Sequence, residues 1–153
     1  VAGVPFEGGE KLTAALERIQ RALGGSPKVR VGLLEGATYP NGTPVALVAA
    51  VQEYGAPSRG IPPRPAIRGM VAKEGPGWGD ALMEVLKASG YDADRALELM
   101  GEGIKGQWQQ AIRDFWGVPL KPATIARKGF DKQLIDTGHM INSVAYEVQG
   151  GGC

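Results

Sequence analysis

Cysteine and histidine are nearly missing from this chain of 153 residues, which holds one of each, Cys153 and His139. A single cysteine forms no internal disulfide, so the fold does not depend on oxidation. A thiol behind Gly150-Gly151-Gly152 also lacks the ordered base that nucleophilic catalysis needs. One histidine without a Cys/His cluster or an H-E-x-x-H pattern does not make a metal site. Neither a cofactor nor a metal is therefore expected, and no catalytic residues are assigned. Long apolar runs are missing too: none approaches the roughly 18–20 residues that span a bilayer. The start, Val1-Ala2-Gly3-Val4-Pro5-Phe6, has neither the basic segment nor the apolar core of a signal peptide, which points to synthesis in the cytoplasm and no membrane partner. A net charge of +1 argues against a surface devoted wholly to nucleic acid, although local basic patches remain.

The chain does have enough length and apolar content for one domain, 1–153, with flexible ends expected at 1–9 and 149–153. Folding at this size buries roughly 68–70% of the extended surface. Glycine (24) and proline (11) punctuate the sequence instead of forming one low-complexity tract. Leu12, Leu16, Ile19 and Leu23 recur at helical spacing and predict a helix from about Glu10 to Leu23, stopped by Gly24-Gly25. Val29, Val31 and Leu33 alternate as a strand. Thr43 as N-cap and Pro44 at the first helical position predict a second helix, Val45 to Tyr54, with Gly55 in a left-handed C-terminal position. That helix is apolar nearly all round, so burial on several sides is expected. Residues 56–65 (Ala-Pro-Ser-Arg-Gly-Ile-Pro-Pro-Arg-Pro) read as a stiff extended arm, because proline fixes φ and removes backbone donors. Short helices are expected over Ile67–Lys73 and Trp78–Ala88, broken by Gly75-Pro76-Gly77. Asp92 caps the longest periodic segment, whose face Leu97, Met100, Ile104, Trp108, Ala111, Phe115 runs toward Gly117. A further helical turn is expected near Ala123–Arg127, and Asp136 or Thr137 as cap of a turn carrying Met140 and Ile141. Val144, Tyr146 and Val148 then alternate as the last strand. The sum is α+β: a small, mainly antiparallel sheet packed with one long and several short helices.

Several segments imitate chemistry. Gly101-Glu102-Gly103-Ile104-Lys105-Gly106 is a literal G-x-G-x-x-G, but dinucleotide binding needs it between a strand and a helix N-terminus, and here the helical pattern runs through it. Its glycines then mark a bend or a close crossing, each weakening the helix by about 1 kcal/mol relative to alanine. His139 beside Asp136 imitates a base with its orienting carboxylate, without the further partners a site requires. Glu98 and Glu102 share a helix face at i, i+4, the default of an exposed helix. Two basic stretches weigh more: Arg59, Arg64 and Arg68 along the proline segment, and Lys121, Arg127, Lys128 and Lys132 later. They suit subunit contact, since arginine is favoured at interfaces and stiff loops bind at low entropic cost. Nucleic acid is the weaker reading, because Phe130 is the single aromatic interleaved with the later group.

Three blocks carry a resemblance. Pro40-Asn41-Gly42-Thr43-Pro44 leads into Ala49-Ala50-Val51-Gln52-Glu53-Tyr54-Gly55, then Ile61-Pro62-Pro63-Arg64-Pro65. Later, Pro119-Leu120-Lys121-Pro122-Ala123-Thr124-Ile125 precedes Leu134-Ile135-Asp136-Thr137-Gly138-His139-Met140-Ile141-Asn142-Ser143-Val144. Their order, across residues 29–148, resembles the minor tail-component and tail-completion (neck) proteins of long-tailed bacteriophages. There, E-[FY]-G ends a helix, a Pro-Arg-Pro arm follows, and a D-T-G-x-[LM]-x-x-S-[IV] segment leads to the last strand. Ala66-Ile67 departs from the family, which often places a bulky aromatic after the proline.

The resemblance implies a virion protein of the neck or tail, made in the bacterial host cytoplasm, that joins tail to head as a ring of identical copies. Its expected partners are itself and a tail terminator, tail tube or head connector protein, with DNA as what passes through the ring. A tail terminator, a head-side connector or a DNA-contacting packaging accessory are the alternatives. Candidate subunit-contact residues are Arg59, Ile61, Pro62, Pro63, Arg64, Pro65, Arg68, Lys121, Arg127, Lys128, Phe130 and Lys132.

Overall fold

A computed structural model of the chain describes residues 9–24 and 27–149. Its sheet joins the two strands farthest apart in the chain. Strand β1 (Lys28–Leu33) runs antiparallel to β2 (Val144–Gln149), with Val29 opposite Val148, Val31 opposite Tyr146 and Leu33 opposite Val144. This register puts the apolar members of both alternations on one face and Arg30 with Glu147 on the other.

Seven α-helices occur among the described residues: α1 (Gly9–Gly24), α2 (Val45–Tyr54), α3 (Ala66–Glu74), α4 (Trp78–Ala88), α5 (Ala93–Asp114), α6 (Pro122–Lys128) and the single turn α7 (His139–Asn142). Helix α5 is the spine, packing against both strands and against α3 and α4. Asp92 caps it as expected, its side chain accepting from the Arg95 amide at 3.0 Å. The G-x-G-x-x-G segment lies within this unbroken helix. Of its glycines, only Gly101 marks a close crossing: a Cβ there would stand 2.9 Å from Val29 Cγ2 and clash with the Tyr146 ring, whereas Gly103 and Gly106 face open space. The helix ends at Asp114, short of the expected stop at Gly117, because Phe115 turns extended at φ −60, ψ 127.

The core collects where α2, α5, α7 and β2 meet, around Val45, Ala49, Ile112, Met140, Ile141 and Val144. Val45 and Ile112 are fully buried, each worth about 1.5–3 kcal/mol of apolar transfer.

Several expectations change. Pro44, not Thr43, is the N-cap of α2, and no side chain caps it. The chain reaches α2 instead through a backbone clasp, with Val45 N donating to Ala37 O and Tyr39 N to Thr43 O. Gly55 has the positive φ (77) expected of it, but ψ of 176 takes it out of the left-handed helical region. Helix α2 is buried on one side only: Ala46, Ala50, Leu47 and Tyr54 face outward, the last two 56% and 67% exposed. Neither Asp136 nor Thr137 caps α7; Gly138 does, at φ 80. Residues 56–65 carry a 3-10 turn at Pro57–Arg59 and a bridge between Ala56 and Ile61, so the segment folds back on the body before running extended to α3. Most of the expected flexible ends, and Cys153, lie outside the described residues, although Gly9 begins α1 and Gln149 ends β2.

Candidate functional site

Val45, Ala49 and Glu53 follow one another at i, i+4 along α2, so the helix that buries the first two also buries the carboxylate. Glu53 is 5% exposed. Its Oε2 accepts from the Ile67 amide at 3.0 Å, and its Oε1 from the Arg68 amide at 2.9 Å and from Arg68 Nε at 3.0 Å. Those amides open α3, whose N-cap Pro65 offers no side-chain oxygen. Glu53 therefore caps a helix from another element, where the unpaired amides and the helix dipole favour negative charge. Arg68 completes the clasp: Nη2 donates to Glu53 O at 2.8 Å, and the guanidinium lies 4.9 Å from the Tyr54 ring centroid.

Arg64 is drawn inward at the same place. It is 7% exposed, its amide donates to Gln52 O at 2.6 Å, and Nη1 donates to Gln52 Oε1 at 3.0 Å. Its Nε is buried without a protein partner, and burial lowers the pKa of the guanidinium. Gly55 permits this folding, because a Cβ there would stand 2.8 Å from both Ile61 O and Pro63 N. Gln52, Glu53, Arg64, Ala66, Leu134 and Met140 line one small pocket, which brings the segments 49–55, 61–65 and 134–144 together.

The later basic loop is closed by a second buried polar side chain. Gln133 is 2% exposed; its Oε1 accepts from Gly117 N at 2.8 Å, and its Nε2 donates to Val118 O at 2.9 Å and Gly117 O at 3.2 Å. Lys128 donates to Lys132 O at 2.6 Å and to Ile135 O, and lies 4.6 Å from the Phe130 ring centroid. Burial lowers the Lys128 pKa, partly opposed by Asp136. Lys132 donates to Phe115 O at 3.2 Å and stands 4.5 Å from the centroid of Trp116, a ring 66% exposed.

Of the candidate contact residues, Arg59, Pro63, Pro65, Arg68, Lys121, Arg127 and Phe130 are exposed, and Ile61 and Pro62 are half-buried. Arg64 is withdrawn from the surface, and Arg68, Lys128 and Lys132 spend their donors on internal acceptors. The two basic stretches do meet: Lys121 Nζ lies 3.4 Å from where a Gly60 Cβ would stand. Trp116, Val118, Leu47 and Tyr54 are exposed apolar groups outside the candidate set. The signal for Trp116 was its place just beyond the helix end; the signal for Glu53 was its step from Ala49.

Asp136 does not orient His139. It pairs with Arg127 at 3.4 Å, while His139 Nδ1 shares a 2.7 Å hydrogen bond with Thr137 Oγ1 and its ring packs 5.4 Å from that of Tyr39. Burial first, and Asp136 second, raise the Tyr39 pKa. Glu98 and Glu102 each pair with a cation of their own helix, Arg95 and Lys105, both at 3.2 Å. No group of three or more metal-ligating side chains occurs among the described residues. No described helix is long and apolar enough to cross a membrane. Comparison with protein families, curated proteins and solved structures finds no match.

Proposed function

We propose that this chain is a structural subunit of a bacteriophage neck or tail-completion assembly, forming a ring that joins tail to head. Its contacts would be with copies of itself and with a tail terminator, tail tube or head connector protein. The reading rests on the resemblance, and one observation supports it above the rest. The E-Y-G, P-R-P and D-T-G blocks, far apart in sequence, converge through Gln52, Glu53, Arg64, Leu134 and Met140 on a single cavity. The three blocks pack as one unit, and their polar residues serve it: a cross-element helix cap, a folded-back loop and a turn leading to β2.

Outside the framework lies surface suited to assembly. Leu47, Tyr54, Trp116 and Val118 are all more than half exposed. Large apolar and aromatic groups left outside are what subunit contacts bury. Mass spectrometry of purified virions produced from the genome that encodes the chain, with gold-labelled antibody in electron microscopy, tests the proposal. The chain is expected in the particles with label at the head–tail junction; particles without it would overturn the reading.

A second reading has one observation in its favour, the approach of Lys121 to Gly60 next to exposed Arg59. Such a pair would contact DNA phosphates. DNA affinity falling steeply with salt would support it, and no binding at low salt would remove it.

A further inference from the structure

Charge is divided between the two ends of α5. The segment 121–132 is tied to its C-terminal end through Lys132 Nζ on Phe115 O, and Gly60 of the segment 56–65 lies beside Lys121. Together the two segments hold six cations, of which Arg59, Lys121 and Arg127 are exposed, against the single carboxylate Asp131. Asp136, just outside, is paired with Arg127. Around the N-terminal half, residues 80–102 hold Asp80, Glu84, Asp92, Asp94, Glu98 and Glu102 against Lys87 and Arg95, and all six carboxylates are on exposed residues. Only Asp92 and Asp94 sit where the dipole of α5 itself would account for them. The whole chain carries just +1, so the separation is hidden in the net charge.

Both ends also expose apolar groups. Trp116, Val118 and Phe130 stand 66%, 51% and 40% exposed among the cations, and Met83, Leu99 and Tyr91 stand 49%, 43% and 37% exposed among the carboxylates. An α-helix rises about 1.5 Å per residue, which puts roughly 33 Å between the ends of α5. A rigid helix of that length keeps the two surfaces of one chain apart. Two copies placed head to tail bring them together, and a repeated contact of this kind closes into a ring when its rotation permits.

We propose that the basic, aromatic surface around Trp116, Lys121 and Phe130 docks on the acidic α4–α5 hairpin of a second copy of this chain. The proposal rests on the ring reading above and adds which surfaces meet. Complementary potentials set the register and speed encounter, while the apolar groups at the centre of the contact hold it.

Sedimentation velocity over a dilution series, at low and high salt, tests it with two charge-reversed variants. One carries Arg59→Glu and Lys121→Glu, the other Glu84→Lys and Glu98→Lys; all four side chains lie outside the core, and thermal unfolding checks the fold. The wild type is expected to associate at low salt and dissociate as salt screens the contact. Each variant alone is expected to associate at least about tenfold more weakly, and an equal mixture to regain association, because reversed surfaces then face each other. Trp116→Ser, at a mostly exposed position, is expected to weaken association without touching the charges. Association that survives both reversals, or a mixture that fails to recover, would overturn this contact and leave the ring reading standing. A wild type monomeric at every concentration and salt, yet present at the neck of virions, would overturn the contact alone. Monomeric protein that is also absent from virions would remove both.

Discussion

The proline loop at 56–65 and the loop at 115–135 solve one problem in different ways. Each follows a helix end, and each is closed by one buried polar side chain, Glu53 just before the first and Gln133 near the end of the second. In the first, Glu53 brings a carboxylate to the α3 amides and to Arg68. In the second, Gln133 brings a neutral amide to the backbone of Gly117 and Val118. The charged closure suits a helix N-terminus, where the dipole and a guanidinium stabilise an anion; the neutral one suits two carbonyls and an amide, which a carboxylate would partly repel. The proline loop turns Arg64 inward onto Gln52, while the later loop leaves an aromatic ring outside. In both regions some expected contact groups are staples, Arg64 in the first and Lys128 and Lys132 in the second, while Arg59, Lys121 and Arg127 stay exposed.

The comparison is broken most strongly at Glu53. Glu53→Ala uncaps α3 and frees the half-exposed Arg68, and we expect a loss of about 2–4 kcal/mol in urea unfolding, with Glu53→Gln losing clearly less. Gln133→Ala leaves three backbone groups unpaired and opens a void, for an expected loss of about 2–3 kcal/mol by the same measurement. Equal losses at the two sites would mean that the charge at Glu53 adds nothing beyond hydrogen bonding.

Within α5 the glycines give a contrast of sign. Gly101→Ala is expected to destabilise by about 1–3 kcal/mol despite the better helix former, because its Cβ meets Val29 and Tyr146. Gly103→Ala and Gly106→Ala, facing open space, should each stabilise by up to about 1 kcal/mol. Thermal unfolding of the three variants separates the cases. Least of all, Arg127→Ala removes a pair with a 71% exposed side chain and should change stability by no more than about 0.5 kcal/mol.

Much of the framework was legible because local physics decides it. The alternation at 28–34 and 144–148, the Asp92 cap and the helical spacing through the glycines each act within a few residues, and each matches the structure. What stayed hidden depends on distant partners. Thr43 has the chemistry of an N-cap, yet α2 starts one residue later, where Val45 N donates to Ala37 O and Tyr39 N donates to Thr43 O. Apolar residues all round α2 predicted burial, but α5, α7 and α3 cover one side and leave Leu47 and Tyr54 outside. Arg64 and Lys128 read as surface cations because nothing in their neighbourhoods announces Gln52 or the carbonyls of Lys132 and Ile135 as acceptors. Glu53 was visible as part of a block; its role required knowing that α3 begins with a proline and lies across from it.

Hydrogen exchange at the Ile67 and Arg68 amides tests most directly whether the buried polar residues of 52–68 work as internal staples. Both are expected to be well protected in the wild type, as donors to the buried Glu53 carboxylate, and to lose that protection in Glu53→Ala under conditions where α5 stays protected. Unchanged protection of the two amides in that variant would contradict the account.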